Sequence, residues 1–437
     1  MPDDRIKISA LPSALSLDNT DVLAIVQGMT GDNKETKKVA VTLIAAHLLE
    51  VMQHNNLDTS DKTIIGAINE VAETLEGLYP VADASGPIAN FSTELARPLE
   101  TLKVGIVATQ ESGAPTPSSP KVISGWSAIN IVHCGVNLWD EDWELGIWNS
   151  SGEKSDSQNA IRCKNYIKIK PSETYYVFAN FTRYATGIIL RLLDANKSFV
   201  RTVVVNSSST KTFTADSNVE YVVWCSSTTD QITTYNNDFS INYPSSDKEY
   251  HAYNGNTEVI NLGETYYGGY VTQDKAGHRQ LVVTYKRFVI DSLSQKNDIS
   301  VSTQSNYAQV SFLPYMDEGV VDAVFICDKF EYQASNIAHS PNKIWSSATG
   351  IRMFFALDAT ITNRDEAIAW FVNNPVEVIA PIAEPIIIGL PDGVPIETLI
   401  GVNNIFADSG DILECKYKDT IQHYIDTQIA TTQALIL

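Results

Sequence analysis

The residues best equipped for chemistry in this 437-residue chain crowd into one short phrase, WDEDWE, which holds Asp140, Glu141, Asp142 and Glu144. Two carboxylates facing each other across a cleft can hydrolyse a glycosidic bond. Neighbours on a single loop do not supply that separation, so the chain is not read as an enzyme. Clustered carboxylate oxygens also suit calcium, but no D-x-D-x-D-G loop accompanies them, and a solvated acidic turn is the preferred reading. The seven histidines (His47, His54, His133, His251, His278, His339 and His423) are scattered, with no H-E-x-x-H and no H-x-H. No G-x-S-x-G elbow and no glycine-rich phosphate loop occurs. Cys134, Cys163, Cys225, Cys327 and Cys415 are far apart, odd in number and without a C-x-x-C, so they are read as small buried hydrophobes rather than metal or redox ligands. No catalytic residue, metal or cofactor is expected.

Sugar recognition is the chemistry left. Pyranose faces are apolar and stack on flat rings, while Asn, Asp, Arg and Gln bond the hydroxyls. The middle of the chain carries Trp139, Trp143, Trp148, Tyr166, Tyr175, Tyr176, Tyr184, Trp224 and Tyr235. Most belong to a core, because large aromatics dominate sandwich interiors. Trp148, in a Gly/Asn/Ser-flanked loop, and Tyr184, beside Arg183, are the glycan-binding candidates.

Bulk composition narrows the partners. Lys plus Arg number 31 against 52 Asp plus Glu, a net charge of −21. A nucleic-acid partner would require a basic face, and anionic lipid is disfavoured for the same reason. Apolar residues make up 44%, enough for packed interiors, and the length calls for two to four domains. No run of about 18 apolar residues is present, so no membrane span is expected. MPDDRIK opens the chain without an apolar h-region, so no signal peptide is expected.

The elements that must carry these residues are mostly strands. From Gly86 onward, short apolar or alternating runs recur between Gly, Asn, Ser and Asp clusters. YIKIK, TYYVFANF, GIILRLLD, RTVVVN, KTFTA and YVVWC make residues 138–243 a two-sheet sandwich. The flanking stretches, 83–137 and 244–419, read as two halves of one outer β domain interrupted by that module. ESGAPTPSSPK is a surface loop. Residues 292–375 are less regular, although RDEAIAWFVNN has helical spacing at Ala367, Trp370 and Phe371 and stops at Asn374 and Pro375. VEVIAPIAEPIIIGLP reads as strands with Pro at edges. Residues 420–437 form a C-terminal helix with Ile421, Ile425, Ile429, Leu435 and Ile436 on its apolar side, expected to be packed.

The beginning of the chain is the most informative part. DVLAIV and KKVAV pair across GMTGDNKE as a hairpin, and TLIAAHLLEVM follows with helical spacing, giving a leader over 1–55. In LDTSDKTIIGAINEVAETLEGLYP, Ile64, Ile68, Val71, Leu75 and Leu78 step by 4, 3, 4 and 3. That is a two-heptad a/d seam, the oligomerisation segment of 56–82. A helix this short is marginal alone, so the seam packs on its own subunit or, in a trimer, on its copies.

RIKISALPSALSLDNTDVLAIVQG, ETKKVAVTLIAAHLL and LDTSDKTIIGAINEV together resemble the N-terminal leader of tailed-bacteriophage structural proteins, over about the first fifth of the chain. NLWDEDWELGIWN, IRCKNYIKIKPSETYYVF, LRLLDANKSFV and DFSINYP resemble jelly-roll carbohydrate-binding modules. The resemblance implies a virion protein made in the bacterial host cytoplasm: a tail or baseplate fibre, or a head fibre on the capsid. It also implies a homotrimer that contacts other virion proteins and presents its modules to a host-surface glycan. A decoration protein without ligand and a polysaccharide depolymerase are the alternatives. The expected fold is mainly β: a small α/β anchor with a short coiled-coil segment, then β-sandwich jelly-roll domains and a short C-terminal helix.

Overall fold

A computed structural model describes strands Val22–Gln27 and Glu35–Ala40 and residues 78–436, apart from 185, 228–237, 292–298, 305, 313–323, 335–339 and 347–352. Residues 1–79 and 80–437 are two separate units. In the first, Val22–Gln27 and Glu35–Ala40 pair antiparallel, from Val22 opposite Ala40 to Gln27 opposite Glu35, as the alternation of DVLAIV and KKVAV leads one to expect. Of the 4-3-4-3 seam, Ile64, Ile68, Val71 and Leu75 lie outside the described residues.

The second unit is mainly β, with two helices among the described residues. Two of its sheets mix strands from both flanks of the 138–243 segment. The four-stranded sheet runs Asn256–Tyr266, Trp126–Cys134, Gly401–Ala407, Ala89–Thr93. The seven-stranded sheet runs Ile326–Cys327, Val376–Leu390, Arg279–Ile290, Gly268–Asp274, Thr101–Val107, Ile412–Lys418, Val81–Gly86. Between them lies one apolar core that includes Leu102, Val104, Ile129, Ile131, Val271, Leu281 and Ile405. Each fully buried aliphatic side chain there contributes about 1.5–3 kcal/mol.

Residues 138–243 form sheets of their own. Phe199–Val205, Ile188–Leu193, Tyr221–Ser227, Ala160–Cys163 and Trp143–Leu145 lie in that order, with Ile167–Lys168 also on Tyr221–Ser227. The smaller sheet is Thr212–Thr214, Thr174–Ala179, Phe239–Asn242. Both contribute to one core around Trp139, Tyr175, Leu190, Trp224 and Phe239. Tyr221–Ser227 is buried at five consecutive positions from Val222 to Ser226, which explains its unbroken apolar run: both of its faces are covered.

The stretch 292–375 is more organised than its sequence indicates. Ser300–Thr303, Ala308–Phe312, Met353–Leu357, Lys343–Ser346 and Glu331–Tyr332 make a five-stranded sheet. It shares a separate core with the helix Arg364–Asn373, whose Ala367 and Phe371 are fully buried near Phe330 and Phe355. Strands of two to five residues carry too little alternation to be read from sequence. The helix itself matches its spacing. Asn363 caps it, its Oδ1 accepting the Glu366 N–H at 3.0 Å, while Glu366 accepts the Thr362 N–H at 2.7 Å. Asn363→Ala is expected to cost about 1 kcal/mol, read as a small fall in the denaturation midpoint.

VEVIAPIAEPIIIGL is a single 15-residue strand, Val376–Leu390. Among the described residues, it is an inner strand where Ile326–Cys327 covers Val378 and Ile379. Pro381 and Pro385 fall beyond that cover, on the stretch of strand paired along one side.

The C-terminal helix, Ile421–Ile436, is present. Its Ile421, Ile425 and Ile429 are about half exposed, at 50%, 45% and 51%, so among the described residues the expected packing of this stripe is not found; the side chains of Leu435 and Ile436 lie outside the described residues. Asp419 roots the helix: its Oδ2 meets His423 Nδ1 at 2.5 Å, and its N–H donates to Pro80 O at 3.0 Å.

Candidate functional site

Trp148 does not reach the surface. Asn149 accepts the N–H groups of Ser151 and Glu153 at 2.8 and 3.0 Å and turns the chain sharply. The resulting hairpin, Ile147–Trp148 with Lys154–Ser155, packs on strands Tyr221–Ser227 and Ala160–Cys163 and inserts the indole into the core. Trp148 is 1% exposed and its Nε1–H donates to Cys163 O at 3.1 Å. Tyr184 is fully buried, near Phe239, and its hydroxyl donates to Asp238 Oδ1 at 3.0 Å. Arg183 turns to the same carboxylate, at 3.5 Å. Neither ring can lie against a sugar without reopening the core, so both leave the candidate set. The tight turn that marks each loop as exposed is also what folds the adjacent ring inward.

The acidic phrase is not a free, solvated turn. Each carboxylate is tied to a different partner. Asp140 accepts from Asn165 at 2.6 Å, and Asp142 pairs with Lys164 at 2.7 Å. Glu144 meets Lys154 and Arg162, both at 2.8 Å. Lys154 beside it, with Arg162, holds the Glu144 carboxyl below the usual carboxylate range. The Arg162 side chain is nearly buried; it also donates to Ile147 O and Ser155 O, at 3.1 and 2.9 Å. Gly146, at φ +139°, makes room for it, since a Cβ there would sit 2.7 Å from the guanidinium. Glu141 clamps the base of the module, accepting the Tyr250 hydroxyl at 2.8 Å and the Tyr253 N–H at 3.0 Å. Among the described residues, no group of three His, Cys, Asp or Glu side chains is arranged to hold a metal.

Four asparagines with almost no exposure reinforce that base: Asn137, Asn242, Asn403 and Asn404. Asn404 donates to Gly135 O at 2.7 Å and Tyr243 O at 3.1 Å, and accepts from Asn90 at 2.7 Å. Asn137 Oδ1 accepts the N–H groups of Trp139 and Ile241, at 3.1 and 3.2 Å. Asn403 Oδ1 lies 2.8 Å from Nε2 of His133, a buried histidine whose pKa is lowered by burial. All five cysteines are buried free thiols; burial pushes the Cys134 and Cys163 thiols up to about 12, so they remain protonated and inert.

An open cleft of about 590 Å³ lies where the 138–243 module meets the hairpin that pairs Thr109–Gln110 with Ile123–Ser124. Trp126, Lys121 and Glu111 line it from the hairpin side, Lys197 and Tyr221 from the module, and Asp408 from the loop after Gly401–Ala407. The Trp126 indole N–H donates to Val107 O at 2.8 Å, which fixes the ring. Tyr221 belongs to an aromatic row: Tyr166 lies 6.2 Å from it, and Trp148 lies 5.3 Å from Tyr166. The Lys197 ammonium sits 4.7 Å from the Tyr166 centroid and 5.6 Å from that of Tyr221. The arrangement sets partly exposed aromatic side chains beside hydrogen-bonding groups in an open depression.

None of these residues stands out in sequence. DANKS, residues 194–198, is legible as a turn, but nothing in the linear order brings it near Lys121 and Trp126. No protein-family model, curated protein or solved structure matches this chain.

Proposed function

We propose that this protein is a non-enzymatic structural component of a bacteriophage virion, a tail, baseplate or head fibre, that holds a host-surface glycan in the cleft between Trp126 and Tyr221. The observation that carries the glycan part is the cleft: two partly exposed aromatic side chains, contributed by segments far apart in the chain and edged by polar side chains. The leader phrases RIKISALPSAL and TIIGAINEV support the virion part. On this reading residues 1–55 attach the chain to the particle, and the Ile64–Leu78 seam assembles three copies. The 138–243 module is a jelly roll carried by the outer β domain. Each cleft binds weakly, and several copies at high effective concentration supply the avidity.

Full-length protein on a glycan array tests the cleft. Trp126→Leu and Tyr221→Leu keep an apolar side chain and remove the flat face. Each is expected to lower retention of the bound glycan about tenfold, the equivalent of about 1.4 kcal/mol. Retention unchanged in both variants would remove the cleft from the proposal. Gold-labelled protein located on intact particles by electron microscopy tests the virion part, and protein found only free in the lysate would refute it.

A further inference from the structure

We infer that the cleft selects an anionic glycan, a saccharide bearing carboxylate or phosphate groups, with Lys121 and Lys197 as its charge contacts; this rests on the glycan reading of the same cleft. The chain carries a net charge of −21, and many of its described cations are held in ion pairs, among them Lys154, Lys164, Lys168 and Lys170 within the module. Lys121 and Lys197 line one cleft and, among the described residues, neither has a carboxylate within ion-pairing distance.

The acids of the cleft are more fully engaged. Asp408 accepts from the Asn130 N–H at 2.9 Å with one oxygen and from the Asn130 amide at 2.5 Å with the other. Glu111 accepts the Val122 N–H at 3.2 Å. The two lysine ammonium groups are the charged donors that the cleft offers a ligand. A ligand rich in acceptors and carrying negative charge complements them.

Lys197 is also preorganised. It stands in the left-handed region at φ +62°, where most side chains are disfavoured. Asp194 fixes it there: its Oδ1 accepts the N–H groups of Asn196 and Ser198 at 2.9 and 2.8 Å, and its carbonyl accepts the Lys197 N–H at 2.9 Å. The turn delivers the ammonium over the Tyr166 and Tyr221 rings, so less freedom is lost when it binds. Charge beyond the cleft is screened over about 8 Å at physiological ionic strength; within it the two ammonium groups are balanced by Glu111 and Asp408, so the selection comes from direct contact with Lys121 and Lys197 and not from an overall positive field.

The test uses full-length protein on an array holding each sugar backbone in acidic and neutral form: oligouronates beside their methyl esters, and phosphosaccharides beside their dephosphorylated counterparts. The acidic member is expected to be retained about tenfold better than its neutral partner, and Lys121→Gln with Lys197→Gln to remove that preference. Which pair shows the preference separates the carboxylate source from the phosphate source. Near-ultraviolet circular dichroism checks that the double variant keeps its fold. Equal retention of acidic and neutral members, lost in Trp126→Leu, overturns the anion inference and leaves the glycan reading intact. Acidic members retained equally by the lysine variant also overturn it. No retention of any member overturns both.

Discussion

Asn404→Leu is expected to destabilise the second unit by about 3–5 kcal/mol. The substitution leaves the side-chain volume roughly unchanged, so the loss isolates polar satisfaction. Asn404 is fully buried. Its amide supplies the hydrogen bonds to Gly135 O and Tyr243 O, and its carbonyl receives the one from Asn90. Leucine satisfies none of these groups, and each buried polar atom left without a partner costs about 1–3 kcal/mol. The carbonyls of Gly135 and Tyr243 flank the two crossings between the outer sheets and the 138–243 module, so the damage concentrates at that base. Denaturant titration followed by tryptophan fluorescence reads the effect. A midpoint equal to that of the parent would show that water replaces the amide and that the buried asparagines are not structural ties.

Trp224→Ala is the second large effect, also about 3–5 kcal/mol, by a different mechanism. The Trp224 ring lies perpendicular to that of Trp139, with centroids 4.9 Å apart, and tilted against Phe239 at 4.5 Å. It is fully buried at the centre of the module core. Truncation opens a cavity among rings too large to collapse into it. Beyond the lost area, the edge-to-face contact with Trp139 carries about 0.5–1.5 kcal/mol, which a double-mutant cycle with Trp139→Ala isolates. Additivity within 0.3 kcal/mol on that cycle would deny the contact any specific energy. Trp148 also belongs to this core, so its emission reports whether damage at Trp224 spreads.

How much of this was legible depended on whether the signal was local. TYYVFANF, GIILRLLD, RTVVVN, KTFTA and YVVWC all lie on observed strands, Thr174–Ala179, Ile188–Leu193, Phe199–Val205, Thr212–Thr214 and Tyr221–Ser227, because β-branched and aromatic runs between turn residues are a local pattern. RDEAIAWFVNN folds as its 3.6 period and terminal Asn-Pro require. Trp148 and Tyr184 went astray because sequence gives the turn and not the direction in which the adjacent ring points. In both cases the short loop folds back and the ring becomes core. Lys121, Trp126, Lys197 and Tyr221 escaped notice because their proximity arises only from docking the 107–126 hairpin against the module. The five-stranded sheet of residues 300–357 escaped because its strands are too short for a period to emerge. Ile421, Ile425 and Ile429 form the stripe that the sequence displays, yet among the described residues nothing covers it.

The two ends of the central module meet. Leu138 donates its N–H to Ile241 O at 2.9 Å, Tyr243 donates to Val136 O at 3.0 Å, and Asn137 bridges to Asn242. Chain departing from the outer sheets and chain returning to them run side by side, hydrogen-bonded as neighbours. A gap this narrow can be closed by a short turn at little entropic cost. The outer strands Trp126–Cys134 and Asn256–Tyr266 are themselves paired antiparallel. The join is therefore a single narrow crossing, and replacing residues 138–243 with a short turn is the direct way to ask whether the outer sheets fold without the module they are tied to through Glu141, Asn404, Ile88 and Phe406.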